Sequence, residues 1–213
     1  MGIQPQGAFG GFKNKTGPLV GRRLKGQNVI TAIPHKSTKP ATQKQLDQRK
    51  KFGLITAHLS WIPGLIAVGF QDENDPRSPM NKAVQYNLPH AITGVSPDFT
   101  IDHSKVMFSQ GKCSLPADLV VEALAGAEVD YAWGFSGVDI KTEPTDLCNL
   151  MVYNVEKDKF VVLERAAERS ELGVLLQLPA NFVGDTVHCY ISFVSVTGDV
   201  VSNSSYVGQL VVM

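Results

Sequence analysis

Residues 129–135 read VDYAWGF, with Val129, Tyr131, Trp133 and Phe135 at every second position and acidic or small residues between them. A period of two marks a strand with one buried face. Residues 187–193, VHCYISF, repeat the pattern with Val187, Cys189, Ile191 and Phe193. Further strands are predicted near 118–123, 147–154, 159–164, 173–178 and 203–212, and Thr197-Gly198-Asp199 supplies turn chemistry to close the last hairpin. Seven strands in roughly 100 residues predict a β-sandwich over 115–213, immunoglobulin- or fibronectin III-like, with Trp133 in its core.

Upstream of this domain the period changes. Residues 41–114 are predicted to be a helical and short-strand segment. Thr42 and Gln45 form a T-x-x-Q capping box after Pro40. Leu46, Phe52, Ile55, Leu59 and Ile62 then give a helical apolar stripe until Pro63-Gly64 breaks it, which predicts a helix over about 42–61. Ser78 as cap and Pro79 at the first helical position predict a second helix from Pro79 to Leu88. Phe99–Ile101 and Lys105–Phe108 read as short strands.

Residues 1–40 carry no helical periodicity and read as a basic, Gly-rich arm or hairpin. Leu19–Leu24 and Val29–Ile33 are its predicted strands, with Lys25-Gly26-Gln27 as the turn. Glycines at 7, 10, 11, 17, 21 and 26 permit close backbone approach. No phosphate-binding glycine motif is present, neither G-x-x-x-x-G-K-[ST] nor G-x-G-x-x-G. A two-stranded hairpin alone buries too little to hold its shape, so it is expected to dock on something.

Charge divides the chain in the same place. Residues 1–52 hold 11 Lys and Arg against the single acid Asp47, a formal +10, and the remainder holds 9 bases against 19 acids, a formal −10. A basic arm attached to an acidic body of equal charge can satisfy itself on another copy of the same chain. The rivals are an arm folded back on its own body and an arm that binds nucleic acid. Aromatic residues suited to base stacking are few, namely Phe9, Phe12 and Phe52, and no nucleic-acid-binding motif occurs, so nucleic acid is the less favoured partner.

Chemistry-bearing patterns are sparse. Cys113, Cys148 and Cys189 are too few and scattered for a disulfide framework, and adjacent His188 and Cys189 point to opposite faces of a strand. Asp102-His103-Ser104 holds triad residue types, but neighbours in one strand cannot converge, and it reads as an ordinary polar strand. His35, His58 and His90 read as isolated, His58 as a packing residue. Glu164, Arg165, Glu168, Arg169 and Glu171 read as a solvated mixed-charge loop or short helix. Neither a catalytic site, a cofactor nor a metal is expected. There is no stretch of the roughly 18–20 apolar residues needed for a membrane span, and the N-terminal residues lack the apolar run of a secretory signal. Synthesis in the cytoplasm is expected, with an extracellular or virion-associated destination after release and no export route legible.

Several blocks together resemble a known family. GAFGGFKNKTGPLVGRRLKGQNVI, KPATQKQLDQRKKF, SPMNKAVQYNLPHAITG with IDHSKV, and VSNSSYVG run through nearly the whole chain. They resemble a Bacteroidota family known only as a domain of unknown function. The distinctive motifs are Q-x-x-x-R-x-x-F, at Gln45, Arg49 and Phe52, and M-N-x-A-x-x-Y-N, at Met80, Asn81, Ala83, Tyr86 and Asn87. His103 stands where the family pattern has Tyr. A weaker resemblance links the Gly-rich basic start and T-x-x-Q helix to phage and prophage structural proteins. The family implies no activity and supplies no catalytic residue.

The expected function is therefore that of a non-enzymatic structural protein. It assembles head-to-tail into a filament or particle, through Arg22, Arg23, Lys25, Arg49, Lys50 and Lys51 at the subunit interface. A carbohydrate- or surface-binding adhesin and a nucleic-acid-associated virion-like component are the alternatives.

Overall fold

The computed structural model describes residues 2–3, 14–24, 26–35, 39–72, 75–134 and 141–213. Lys25, Phe135, Phe9, Phe12 and the glycines at 7, 10 and 11 lie outside the described residues. The chain divides into two compact units, 1–42 and 43–213.

The first unit is an antiparallel sheet. Its strands are β1 (Gly2–Ile3), β2 (Asn14–Thr16), β3 (Leu19–Leu24) and β4 (Gln27–Ala32), in the order β1-β4-β3-β2. The predicted hairpin is present, in a tighter register that pairs Leu24 with Gln27. Two short outer strands not expected from the sequence join it, which supplies part of the partner surface that an isolated hairpin lacks.

In the second unit, three helices precede the sandwich: α1 (Gln43–Leu59), α2 (Pro63–Gly69) and α3 (Pro79–His90). The Ser78 hydroxyl accepts from the Asn81 amide at 3.3 Å, so the predicted cap of α3 is made. Pro63-Gly64 does more than end α1. Pro63 opens α2, consistent with the tolerance of proline in a first turn whose N–H groups have no intrahelical partner. The apolar stripe of α1 is buried only at its C-terminal end, at Ile55 and Leu59, followed by Ile62, whereas Leu46 and Phe52 are exposed. At 1.5 Å per residue α1 is about 25 Å long and α3 about 18 Å, so α1 outruns its neighbour.

A hairpin, β5 (Ile92–Val95) and β6 (Asp98–Ile101), follows. Two expectations fail after it. Residues 103–105 form a 3-10 turn started by Asp102, whose carboxylate accepts from the Ser104 amide and hydroxyl, and 105–108 is not a strand. Buried Asn87 replaces the missing ladder: its Nδ2 donates to the Ala83 and Met107 carbonyls and its Oδ1 accepts from the Met107 amide. The polar end of the M-N-x-A-x-x-Y-N motif thus holds an irregular segment against α3.

The seven predicted strands form two sheets. They are β7 (Val120–Leu124), β8 (Glu128–Ala132), β9 (Leu147–Asn154), β10 (Lys159–Leu163), β11 (Gly173–Gln177), β12 (Thr186–Val194) and β13 (Ser205–Val211). One sheet has the order β11-β8-β7 and the other β10-β9-β12-β13, all pairs antiparallel. This is a fibronectin III-like sandwich of three strands on four. Val129, Tyr131 and Trp133 meet Cys148, Leu150, Val152, Cys189, Ile191 and Phe193 in its core. Trp133 packs edge-on to Phe193 at 5.4 Å.

The four-stranded sheet is buried on both faces. Cys148, Leu150 and Val152 point into the sandwich, while Met151, Tyr153 and Tyr190 join Ile55, Leu59, Leu65, Ile66, Ala83 and Phe108 in a second core beneath the helices. The unit therefore has three layers: helices, four-stranded sheet, three-stranded sheet. Helices and sandwich share a core, so they are one cooperative body. Deleting residues 1–40 is expected to leave a folded protein with a single sharp thermal transition, followed by far-UV circular dichroism. A broad or absent transition would show that the N-terminal unit is required for the fold.

Candidate functional site

The expected interface residues occupy two separate elements. In β3, adjacent residues alternate across the sheet, so Arg22 shares a face with Val29 opposite it, and Arg23 shares the other face with Asn28. The two arginines cannot serve one flat contact, and Lys25 lies outside the described residues. On α1, Arg49 and Lys50 are exposed, whereas Lys51 is half-buried with its ammonium 4.6 Å from the Phe99 ring. Asp47, the lone acid here, accepts from Ser96 Oγ and Gln43 Nε2 at 2.8 Å each. The Ser96 hydrogen bond, with help from Gln43, Lys51 and Lys50, holds its carboxyl below the usual range.

Arg49 is not alone. Gln45, Arg49 and Phe52, the three named positions of the Q-x-x-x-R-x-x-F motif, line an open hollow of about 450 Å³ with Gln48 and Gly53. The ring of Phe52 is 51% exposed. A cation beside an exposed aromatic ring on a rigid helix is chemistry suited to protein contact, where Arg and aromatic anchors dominate binding energy. Among the described residues, Arg22, Arg49 and Lys50 make no ion pair.

A second constellation escaped the sequence reading. His58 from α1, His103 from the 3-10 turn and His188 from β12 converge on the outer face of the four-stranded sheet. Ring centres are 5.4 Å apart for His58 and His103 and 4.6 Å for His103 and His188. Tyr153 and Phe160 close the cluster around His58, and Tyr206 Oη lies 3.0 Å from His188 Nδ1. His58 is therefore not isolated. Burial lowers the pKa of His58 and His103 to about 4 each, and neighbouring imidazoles push the same way. His58 Nε2 and His103 Nδ1 are buried with no hydrogen-bond partner. Among the described residues no group of three or more His, Cys, Asp or Glu is placed to hold a metal ion.

Arg169 is the third surprise. Expected in a solvated run, it is 4% exposed, and Asp146 beside it is 2% exposed. Nε lies 3.6 Å from Asp146 Oδ2, Nη2 donates to the Ser114 carbonyl at 2.8 Å, and the guanidinium lies over the Phe193 ring at 4.3 Å. Trp133 Nε1 donates to the Arg169 carbonyl at 2.8 Å, which ties this pair to the core tryptophan. Cys113 lies against the pair, and burial raises its pKa; burial also pushes Cys148 and Cys189 up to about 11 each. All three remain thiols at neutral pH, a state poor in nucleophilicity and metal affinity.

No helix among the described residues is by itself long and apolar enough to cross a membrane; α1 and α2 together reach that length but are bent by 95°. Ile55, Leu59, Leu65 and Ile66 from that pair lie in the second core.

Comparison with known proteins gives three findings. A search of curated proteins returned no match. Among solved structures, the fibronectin domains FN1–FN3 of chicken CNTN1 are similar over 49% of this chain and 33% of that one, at 12% identity and a TM-score of 0.32. The profile of a family matches residues 11–208, and with that span the chain belongs to the family of unknown function DUF6266.

Proposed function

We propose that this chain is a non-enzymatic structural protein that self-associates, basic N-terminal part against acidic body, into a filament or particle. One observation carries the reading: a formal +10 over residues 1–52 is balanced by −10 over the remainder. Arg22, Arg49 and Lys50 are exposed, and no ion pair within the chain uses them among the described residues. Different surfaces meeting in a repeated contact make a ring or an open helix according to whether the rotation closes. An extracellular filament and a phage-like particle both fit this scheme, and a Bacteroidota source and kinship with phage structural proteins belong to the same proposal. The buried thiols described above support a non-enzymatic role. An adhesin would be favoured by aromatic rings on the sandwich loops. Among the described residues the strongly exposed rings are instead Phe52 and Trp61, in the helical layer.

The test is negative-stain electron microscopy with sedimentation velocity on nuclease-treated full-length protein. Regular filaments, rings or closed particles are expected at low salt, and weaker association near physiological ionic strength, where exposed charges are screened over about 8 Å. A monodisperse monomer at every ionic strength and concentration would overturn the reading. Association only with added nucleic acid would replace it with the nucleic-acid alternative.

A further inference from the structure

The three-stranded sheet of the sandwich covers the core with one face and leaves the other open. Cross-strand register sets what that open face displays. Glu122 on β7 stands directly opposite Asp130 on β8, and Asp130 opposite Leu175 on β11. Two residues along, Glu128 stands opposite Leu124, and Val120 lies on the same face by the period of two. Glu122 is exposed, and Glu128 and Asp130 are half-exposed. Val120 is 48% exposed and Leu175 49%. No Lys or Arg from the three strands interrupts this face, and none of its acids forms an ion pair among the described residues.

Two like charges directly opposite each other on neighbouring strands oppose sheet formation. A sequence that keeps such a pair, flanked by exposed aliphatic side chains, breaks two rules of surface design at one place, and such breaks concentrate at functional surfaces. A cationic, partly apolar partner relieves both faults.

We propose that this open face receives α1 of a second copy of the chain, with Arg49 and Lys50 over Glu122, Asp130 and Glu128, and exposed Leu46, three and four residues before them on the same helix face, against the aliphatic residues. The proposal rests on the self-association reading and specifies its receiving surface. Charge complementarity is one argument: α1 carries Lys44, Arg49, Lys50 and Lys51 against a single acid, Asp47. Layer order is the other. Helix α1 lies on one side of the four-stranded sheet and the three-stranded sheet on the other. Both surfaces belong to one rigid unit and face apart, so a chain cannot join them within itself. The contact is heterologous and leaves the joined pair with one free donor and one free receiver, which is the condition for a growing chain of subunits.

Three strands at about 4.8 Å spacing and five residues at about 3.3 Å give a face of roughly 14 by 17 Å. A single contact of that size is weak compared with the roughly 800 Å² per partner of a stable interface, so association should be concentration-dependent and salt-sensitive.

The experiment uses two full-length variants, Arg49→Glu/Lys50→Glu and Glu122→Lys/Asp130→Lys, in sedimentation velocity at low salt, with thermal melts to confirm folding. Each variant alone should remain monomeric under conditions where the wild type associates. An equimolar mixture should associate again, because the acidic helix of the first variant meets the basic face of the second, and the unaltered helix and face of the two meet each other. Restoration by mixing distinguishes a contact between copies from one within a chain. Two results overturn the proposal and leave self-association standing: either variant alone associating as the wild type does, or a mixture that stays monomeric while the wild type associates. A wild type that never associates overturns the self-association reading itself.

Discussion

Between pH 6.5 and pH 4 the folded unit should lose about 3 kcal/mol of stability through His58 alone. In an unfolded chain an imidazole takes up a proton near pH 6.5. In the native protein His58 is 6% exposed, enclosed by Tyr153 and Phe160, and held neutral until about pH 4. A depressed native pKa means that the unfolded chain binds the proton first. Stability is therefore intact above pH 6.5 and falls progressively as the pH drops towards 4. His103 titrates in the same window, with a smaller effect because it is less buried. The charged groups that face the cluster are His188, Asp102, Asp158 and Glu156. Ionised Asp158 favours the charged form of His58 and His103, but burial outweighs it. Thermal melts at pH 7, 5.5 and 4.5 check this. The wild type should lose midpoint temperature steadily, and His58→Phe, which retains an aromatic packing body, should lose clearly less. Parallel curves for the two proteins would remove His58 as the cause. Carboxylates with lowered pKa values, such as exposed Glu156 and half-buried Asp185, act at the acid end, so the comparison belongs above pH 4.5.

Replacing Arg169 by methionine should cost roughly 3–5 kcal/mol, because it strands the Asp146 carboxylate in the interior. Asp146 retains the Glu143 amide at 3.0 Å, which is weak compensation for a buried charge. Converting both partners, Arg169→Met with Asp146→Asn, should recover a large part of the loss, since the neutral amide can still accept from Glu143. Urea unfolding of wild type, both single variants and the double variant closes the thermodynamic cycle. A loss below about 1 kcal/mol in the single Arg169 variant, or additive losses in the double, would show that the pair is effectively solvated. The Arg169 guanidinium lies over the Phe193 ring, which packs edge-on to Trp133, so a spectroscopic check is available: Trp133 fluorescence should shift in Arg169→Met.

These two sites show where reading along the chain stopped. The run from Glu164 to Glu171 alternates acids with arginines and carries every mark of a solvated loop. Arg169 nevertheless turns inward because Asp146, 23 positions earlier, waits beneath it with the Ser114 carbonyl and the Phe193 ring. Similarly, His58, His103 and His188 are 45 and 85 positions apart, and no local pattern links them. Their meeting depends on α1 and the 103–105 turn both lying on one face of the four-stranded sheet.

The surroundings of the proposed interface residues were partly legible. Arg49 and Lys50 are exposed as expected, and the Q-x-x-x-R-x-x-F spacing brings Gln45, Arg49 and Phe52 together because residues four and seven apart share a helix face. Arg22 and Arg23, adjacent in the sequence and grouped for their charge, separate to opposite faces because a strand alternates its side chains. The acidic face opposite was invisible for a different reason. Glu122, Glu128 and Asp130 become neighbours only through the register of β7 on β8.

Strand periodicity, the Ser78 cap, the Pro79 start and the charge divide near residue 52 are properties of neighbouring residues, and they can be read along the chain: seven strands, helices ahead of them, and a basic end on an acidic body. That the four-stranded sheet is covered twice follows only from long-range packing. The alternating residues of β12 specify one buried face, and its other face, with His188 and Tyr190, is buried because helices more than 90 residues upstream pack upon it. Periodicity records which side chains share a face, whereas what comes to lie on that face is settled by long-range packing.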